Sequence, residues 1–458
     1  MTVYFDDSLR VFVALVQEEW GASFISNNLF LRDINGRLTF IILNNSKDSA
    51  ERISLAAKAE AILGSYVDSD GFSVATPEEL FDDRLNIDAA LKVKLTIAQN
   101  EVEVNLIDRR MVGADWLRAP APSARNPLRF VFASIKGGVG RSTALCVLAA
   151  HLAANGLRVL TVDMDLEAPG LGNLLLPEGT LPKFGLLDYL VEQGINPELE
   201  DSFFSDMIAS SWLGGGVGRV DVIPAIGQLS LENPENVLAK IARAYMDGGI
   251  NENSNVAYSF SDHISKLIDI FAKPYDYDVV LVDARAGLHE TSAAAIIGLG
   301  AEILFFGVDQ PQTFSGYELL FAHLANLNID DNDDWRNRIR FIHAKALADS
   351  RKRSEFIQKI EQLAERTIYP QVASSVIVDL NSLSSSFEVE WDENSDISES
   401  VINDLNSISV IAIANDDRFN TFDPIVDRDS LGESVYQATY GDFVSEIMNS
   451  IALNRMGN

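Results

Sequence analysis

The sequence contains a single cysteine, Cys146, in 458 residues. One thiol cannot form an internal disulfide, and it cannot supply the several thiolates that a thiolate metal site or an iron–sulfur cluster requires. The fold must therefore depend on buried apolar surface, and the hydrophobic fraction of 47% is ordinary for a globular core. The length favours one large domain accompanied by a smaller one.

Long apolar runs and a basic amino-terminal region are also missing. The sequence has no run of about 18 apolar residues, so it predicts no membrane span. Its first residues, MTVYFDDSLRVF, include two aspartates and no basic segment of the kind that opens a secretory signal. We therefore expect a cytoplasmic protein with no membrane partner.

Basic residues are scarce overall, with 36 Lys and Arg against 67 Asp and Glu and a net charge of -31. A field of this sign repels duplex DNA unless a local patch overrides it. The densest basic stretch, residues 335–367, is typical of a solvated helix face, and a local contact with nucleic acid or protein is the alternative. Nucleic acid is therefore a disfavoured partner, although it is not excluded.

The amino-terminal part, residues 1–117, has the pattern of a small α+β domain. Residues 8–20 have helical apolar spacing, residues 37–44 predict a strand, and Ser46 is expected to cap a second helix. Residues 101–108 alternate like a strand. The Pro- and Ala-rich residues 118–127 predict a linker and hence a domain boundary.

After the linker, residues 128–458 predict a doubly wound α/β domain with a mostly parallel sheet. An apolar strand, a helix closed by glycine and a second apolar strand form a βαβ unit over residues 128–165. Five further apolar runs predict strands, mostly separated by helices: VDVIPA, YDVVLVDA, EILFFGVD, IRFIHA and ISVIAIAN. The Ser-rich acidic segment around 380–405 predicts a surface insertion.

The segment KGGVGRST, residues 136–143, joins the first of these strands to its helix. Its glycines let successive backbone N–H groups face one phosphate, and the helix adds the positive end of its dipole. Ser142 offers a hydroxyl to magnesium, and Thr143 can bond a further phosphate oxygen. The predicted nucleotide-binding residues are Gly137, Gly138, Val139, Gly140, Arg141, Ser142 and Thr143.

Aspartates follow two later strands. Asp163 and Asp165 end LRVLTVDMD, and Asp283 ends the run VVLVD before a loop that contains Gly287. The carboxyl ends of parallel strands meet at one edge of a sheet, where ligands bind. Magnesium accepts one or two carboxylates beside phosphates and water. The sequence therefore predicts a site for nucleotide and Mg²⁺ at this edge.

Three segments together, KGGVGRST, VDMDLEAPG and YDVVLVDARAGL, resemble the ParA/MinD group of P-loop ATPases, whose Walker A loop is a variant, or deviant, form. Four more segments fall where this group has its connecting helix, internal strand, proline loop and base-contacting loop: GLLDYL, VDVIPA, FGVDQPQTFSGYELL and IANDDRF. The resemblance covers residues 128–458 and does not reach residues 1–117.

This resemblance implies an ATPase that uses ATP and Mg²⁺ and alternates between an ATP-bound dimer and a monomer. Lys136 would reach the phosphates of the partner subunit. Asp165 would orient the attacking water, and Ser142 and Asp283 would hold magnesium, with Asp165 as a further metal-site candidate. Phosphoryl transfer needs mainly positioning and charge stabilisation, so Lys136, Asp165 and Arg141 are the expected catalytic residues. Outside the resemblance, the amino-terminal domain is expected to recognise an unidentified protein partner or to support assembly.

Two positions depart from the family pattern. Arg141 stands at the second lysine of the loop, where its planar guanidinium can grip phosphate but is bulkier than an ammonium. His343 stands where the family often has a base-contacting asparagine, so adenine is favoured and guanine stays open. The first departure leaves open a non-hydrolysing scaffold that binds nucleotide. A DNA-partitioning ATPase is a second alternative, which the overall acidity disfavours. Whether dimerisation needs nucleotide also stays open.

Overall fold

A computed structural model describes residues 2–44, 46–69, 71–196, 198–214, 217–246, 248–251, 256–273, 275–327, 333–369, 408–420 and 422–457. The chain divides into two compact units, Met1–Leu117 and Arg118–Asn458. The insertion predicted around 380–405 lies outside the described residues.

The first unit combines helices with a mixed sheet. Its described elements, in chain order, are α1 Phe5–Trp20, α2 Ala22–Ser26, β1 Leu29–Arg32, β2 Leu38–Ile41, α3 Ser49–Leu63, β3 Val74–Ala75, β4 Leu91–Ile97 and β5 Asn100–Asp108. The strand order is β3-β2-β1-β5-β4, with β1 antiparallel to β2 and parallel to β5. The apolar face of α1 is buried on this sheet, where the rings of Phe12 and Phe30 lie 5.5 Å apart. The predicted α+β character is confirmed.

The cap of α3 corrects the sequence prediction. The N-cap residue is Asp48, not Ser46. The carboxylate of Asp48 accepts the N–H of Glu51 at 2.8 Å, and the carboxylate of Glu51 accepts the N–H of Asp48 at 3.3 Å. A glutamate three residues after the cap closes this reciprocal pair, whereas the third residue after Ser46 is a serine. The helix therefore begins at Ser49.

The second unit alternates strands and helices. Its described elements are β6 Leu128–Ser134, α4 Arg141–Ala154, β7 Arg158–Asp163, α5 Leu171–Leu175, α6 Leu186–Ile195, α7 Asp201–Ser205, β8 Ala209–Ser210, β9 Arg219–Ile223, α8 Gln228–Glu232, α9 Val237–Ala244, β10 Gly248–Asn251, β11 Val256–Tyr258, α10 Phe260–Phe271, β12 Val279–Ala286, α11 Glu290–Ile296, β13 Glu302–Gly307, α12 Pro311–Leu324, β14 Ile339–Ala346, α13 Ser350–Thr367, β15 Ser409–Ala414 and α14 Glu433–Gly457.

The main sheet of this unit has the order β15-β14-β13-β6-β12-β7-β9-β8. Neighbouring strands are parallel except β8, which is antiparallel to β9. Helices cover both faces, since Phe132 and Phe306 pack against Phe443 of α14, while Phe305 on the opposite face packs against Tyr317 of α12. Strands buried on both faces explain the unbroken apolar runs. The predicted doubly wound, mostly parallel α/β fold is confirmed.

Residues 118–127, predicted as a linker, are hydrogen-bonded within the second unit. The N–H of Ala121 donates to the carbonyl of Ile297, and that of Ala124 to the carbonyl of Gly300, both at 2.8 Å. A Cβ on Gly300 would lie 1.9 Å from the carbonyl oxygen of Pro122, so only glycine fits there. The loop before β13 therefore holds this segment in place.

Several strands were missed in the sequence. The strand β4 precedes β5 in a hairpin whose turn residues Ala98 and Gln99 have φ of 47° and 71°. Glycine or asparagine is usual at such positions, so the turn carries no ordinary signal. The edge strand β8 and the hairpin β10–β11 are too short for a periodic pattern to emerge.

The single cysteine of the sequence lies in the core of the second unit. The Cys146 side chain is fully buried on α4, and this burial raises the pKa of its thiol. In the described part of the chain, no helix is long and apolar enough to cross a membrane.

The capping pair generates a matched test. Asp48→Ala should cost about 1 kcal/mol of helix stability, which corresponds to about fivefold faster amide exchange. Hydrogen exchange with mass spectrometry on peptides from residues 49–63 measures this effect. Ser46→Ala is the control and should leave the exchange rates unchanged. A larger effect from Ser46→Ala than from Asp48→Ala would reverse the assignment of the cap.

Candidate functional site

The glycine-rich loop lies between β6 and α4. Gly138 and Gly140 have φ of 74° and 94°, the left-handed region that favours glycine. The hydroxyl of Ser134 donates to the carbonyl of Lys136 at 2.9 Å and fixes the start of the loop. A Cβ added at any of its glycines, Gly137 included, would meet nothing within 4 Å, so the loop borders open space at the N-terminus of α4.

The sheet brings the predicted aspartates to this loop. The strand β12 lies between β6 and β7, and Asp283 is in register with Asp163. The hydroxyl of Ser142 donates to Oδ2 of Asp283 at 2.5 Å. The Oδ1 atom of Asp283 is buried and has no hydrogen-bond partner among the residues that the structure describes. Burial raises the pKa of Asp283 against the opposing effects of Arg141 and Ser142.

Asp163 has a different environment from Asp283. It is buried, and its carboxylate accepts three backbone N–H groups, those of Asp165, Gly170 and Leu171, each at 3.0 Å. Burial and the nearby charge of Asp283 raise its pKa to about 7 despite these bonds. Asp163 therefore fixes the loop that follows β7, and Asp165 lies at the start of that loop.

Arg141 points into the site. Its side chain is 9% exposed, and its Nη1 donates to the carbonyl oxygen of Ala284. Nη2 lies 4.0 Å from Oδ2 of Asp165, and Nε lies 4.0 Å from Oδ1 of Asp283. The sequence predicted a contact of Arg141 with phosphate. It contained no signal for the contact of Arg141 with Ala284, because the two residues are far apart along the chain.

Lys136 lies apart from these carboxylates. Its ammonium donates to Oε1 of Gln310, the N-cap residue of α12, at 2.9 Å. This contact is exposed. The structure thus brings together Arg141, Ser142, Asp165 and Asp283 and leaves Lys136 at the rim.

A pocket opens beside the loop. Its lining includes Val139, Gly140 and Thr143 from the loop and α4, together with Phe306, Ala344, Lys345, Tyr440 and, at the end of β15, Ile413, Ala414, Asn415, Asp416, Phe419 and Asn420. The carboxylate of Asp416 is held by the guanidinium of Arg418 and the hydroxyl of Thr439, which keeps its pKa well below the usual range.

His343, which stands where the family often has an asparagine, is not among the residues that line this pocket. Its ring stacks on Phe356 of α13 at 3.7 Å, and burial lowers its pKa to about 4. Alternation along β14 puts His343 on the same face as Phe341, toward α13. Ala344 and Lys345 line the pocket in its place.

A cluster around Glu167 connects the loop that follows β7 to the end of β12 and to the loop after it. Oε1 of Glu167 lies 2.5 Å from Nη1 of Arg285 and 3.9 Å from Nε2 of His289, and it accepts the hydroxyl of Tyr245 at 3.2 Å. Burial opposes ionisation of Glu167, but Arg285 outweighs it and lowers the pKa. No local sequence pattern signals this cluster, because its members come from the loop after β7, the strand β12 and the segments that follow α9 and β12.

The residues present fit a magnesium ion. In the described ranges, no group of three or more His, Cys, Asp or Glu side chains could hold a metal alone. Ser142 and Asp283 instead offer a hydroxyl and a carboxylate, and the Oδ1 atom of Asp283 is buried without a partner. Such a site suits Mg²⁺, which completes its shell with phosphate oxygens and water.

Comparisons with known proteins identify a family and several proteins of similar structure. A family model described as the CobQ/CobB/MinD/ParA nucleotide binding domain matches residues 130–388. A ParA family ATPase from Chlorobium tepidum is similar in structure, with 19% identity, a TM-score of 0.37, and coverage of 70% of this chain and 92% of that chain. The cell division ATPase MinD of Pyrococcus furiosus has 18% identity, a TM-score of 0.39, and coverage of 70% and 99%. The McdA–ATP complex of Cyanothece has 13% identity, a TM-score of 0.40, and coverage of 72% and 96%. A comparison with curated proteins finds no match.

The Glu167–Arg285 pair generates a double-mutant test. Glu167→Gln, Arg285→Gln and the double variant should give a coupling free energy of about 0.5–1 kcal/mol, because the pair is only partly exposed. Hydrogen exchange of residues 164–170 and 285–289 is the measurement. The exposed pair Arg351–Glu355 on α13 is the control and should couple more weakly. A coupling no larger than that of the control would contradict a link between the loops.

Proposed function

The chain belongs to the CobQ/CobB/MinD/ParA family of nucleotide-binding domains. We propose that it is an ATP-binding, magnesium-dependent switch that dimerises with ATP and hydrolyses ATP slowly. The observation that carries the proposal is the 2.5 Å hydrogen bond between Ser142 and Asp283 beneath an open glycine loop. It puts a hydroxyl and a buried carboxylate at the N-terminus of α4. Helix N-termini favour phosphate, and hard oxygen ligands favour magnesium.

The triphosphate is assigned to the loop. The backbone N–H groups of residues 137–143 and the dipole of α4 offer a cradle that no side chain fills. The pocket that the loop shares with Lys345 and Asn415 receives the base. We assign adenine, because both oxygens of Asp416 are occupied by Arg418 and Oδ2 is shared with Thr439, so this carboxylate is a poor acceptor for the N–H groups of guanine.

Ser142 and Asp283 would hold magnesium, and the ion would offset the charge of the phosphates. Asp165 is the residue that orients the attacking water. Its Oδ1 already accepts the N–H of Ala168 at 3.1 Å, which fixes the carboxylate, while Oδ2 faces Arg141. Positioning of this kind is the main contribution that a protein makes to phosphoryl transfer.

Lys136 is assigned to dimerisation. Lys136 is half-buried, and its ammonium donates at an exposed contact to the neutral amide oxygen of Gln310, an acceptor that a phosphate oxygen would outcompete. A lysine at the rim of the site can reach a second subunit without disturbing Ser142 or Asp283. The first unit, with a sheet and core of its own, would then bind the protein partner or support assembly.

A second candidate is a scaffold that binds nucleotide without hydrolysing it. The observation in its favour is the contact of Arg141 with the carbonyl of Ala284, which holds the guanidinium away from the loop's open side. A charge fixed there would stabilise the transition state less than a mobile lysine would.

Solution mass tests the switch. Light scattering of the full chain should give a mass that doubles with Mg-ATP and stays at the monomer value with Mg-ADP or without nucleotide. Lys136→Ala should abolish the doubling while a fluorescent ATP analogue still binds. Lys352→Ala, an exposed lysine on α13, is the control and should dimerise like the parent. A parent mass that ATP does not change would contradict the proposal.

Turnover separates the switch from the scaffold. We expect magnesium-dependent phosphate release in the parent and a loss of at least about a hundredfold in Asp165→Ala, because the water loses its orienting carboxylate. Asp349→Ala, which removes a cap on α13 far along the chain, should keep the parent rate. If the parent binds ATP but releases no phosphate, the scaffold is the correct assignment.

A further inference from the structure

The site contains a built-in cation next to the residues that suit magnesium. Arg141 is the first residue of α4, so its backbone belongs to the phosphate loop, yet its guanidinium lies between Asp165 and Asp283. Both carboxylates are largely buried, with side chains 14% and 5% exposed. Two buried carboxylates without a cation would be costly, so the guanidinium supplies charge that the site requires.

The contacts of this guanidinium are incomplete. Its distances of 4.0 Å to Asp165 and to Asp283 are ion pairs without hydrogen bonds. Its one direct bond goes to a neutral acceptor, the carbonyl of Ala284. The Oδ1 atom of Asp283 faces Nε of Arg141 and, within the described ranges, has no hydrogen-bond partner. The arginine therefore balances the charge of the carboxylates while leaving one oxygen unsatisfied.

We propose that Arg141 is a tethered counter-cation that keeps free divalent cations out of the Asp165–Asp283 pair until phosphate draws its guanidinium away. A divalent ion on Asp283 would lie next to a positive charge, so the two cations compete for one pair of carboxylates. Phosphate oxygens bind guanidinium bidentately and more strongly than a backbone carbonyl does. Ligand binding would thus expose the carboxylates to the metal.

The residue type matters for this role. A lysine ammonium is a compact point charge on a flexible stem and can lose its proton when it is buried, whereas an arginine keeps its charge at every accessible pH. The planar fork also lets one side chain hold Ala284 while Nε and Nη2 face two different carboxylates. Exclusion of the metal is therefore expected to be stronger with arginine than with lysine at position 141.

The test measures metal binding without nucleotide. Mn²⁺ is titrated into the full chain, and free Mn²⁺ is followed by electron paramagnetic resonance. We expect Arg141→Met to bind one Mn²⁺ at least tenfold more tightly than the parent, and Asp283→Asn added to Arg141→Met to abolish the gain. Arg351→Met, an exposed arginine on α13, is the control and should match the parent. Equal affinities of the parent and Arg141→Met, or no Mn²⁺ binding by either, would overturn the proposal.

A conservative variant keeps the test decisive if Arg141→Met does not fold. Arg141→Lys retains a positive charge but cannot reach Ala284 and both carboxylates at once. It should bind Mn²⁺ at least threefold more tightly than the parent. An affinity equal to that of the parent would count against the arrangement described for arginine.

Release by phosphate is measured in a second titration, and this step rests on the proposed function. A non-hydrolysable ATP analogue should raise Mn²⁺ affinity more in the parent than in Arg141→Met, because binding free energies at the two sites are reciprocally coupled. An equal gain in both proteins would refute release. Failure of the analogue to bind at all would refute the proposed function, while the first titration would still decide whether Arg141 excludes the metal.

Discussion

Burial of Asp283 is the constraint on which the rest of the site depends. The middle strands of a parallel sheet are covered on both faces, so a carboxylate at the end of β12 has little access to water. A buried carboxylate must find a donor, a cation or a proton. Here Ser142 donates to one oxygen and Arg141 lies near the other, and both belong to the first turn of α4. The buried charge of Asp283 therefore fixes the position of the glycine loop through its contacts with Ser142 and Arg141.

The residues that follow Asp283 extend this coupling. Ala284 accepts the guanidinium of Arg141, and Arg285 pairs with Glu167 in the loop after β7. All three residues lie within β12, where the extended backbone directs consecutive groups to different sides. One short segment of β12 thus contacts both the phosphate loop and the loop that carries Asp165. A displacement of the phosphate loop would therefore be transmitted to the second loop through only a few contacts.

Sequence reasoning worked where the determinants are local. The buried strands are continuous apolar runs, and the glycines of the loop occupy backbone conformations that few other residues adopt. It was wrong at the cap of α3, where Ser46 was favoured over Asp48, although the glutamate three residues after Asp48 was a readable signal. The stacking of His343 on Phe356 was not predicted either, although alternation puts His343 on the same face of β14 as Phe341. The direction of Arg141 and the cluster around Glu167 depend on residues far apart in the chain, and no spacing rule could have found them.

In this site, the carboxylates whose hydrogen bonds are satisfied have structural roles, whereas the carboxylate that keeps an unsatisfied oxygen is the candidate for ligand binding. Asp163 accepts three N–H groups and Asp416 is held by Arg418 and Thr439, so the oxygens of both carboxylates already have hydrogen-bond partners. In the part of the chain that the structure describes, Asp283 keeps a buried oxygen without a hydrogen-bond partner, and the glycine loop faces open space. A protein that needed only a rigid turn here could replace Asp283 by an apolar residue and gain stability. Retaining an incompletely satisfied carboxylate beside a permanently charged arginine is costly in the ligand-free state, and the rearrangement that we propose, in which phosphate and a metal ion engage both groups, would relieve this cost. The cost of keeping Asp283 and Arg141 in this state therefore favours a role for them in ligand binding over a role in folding.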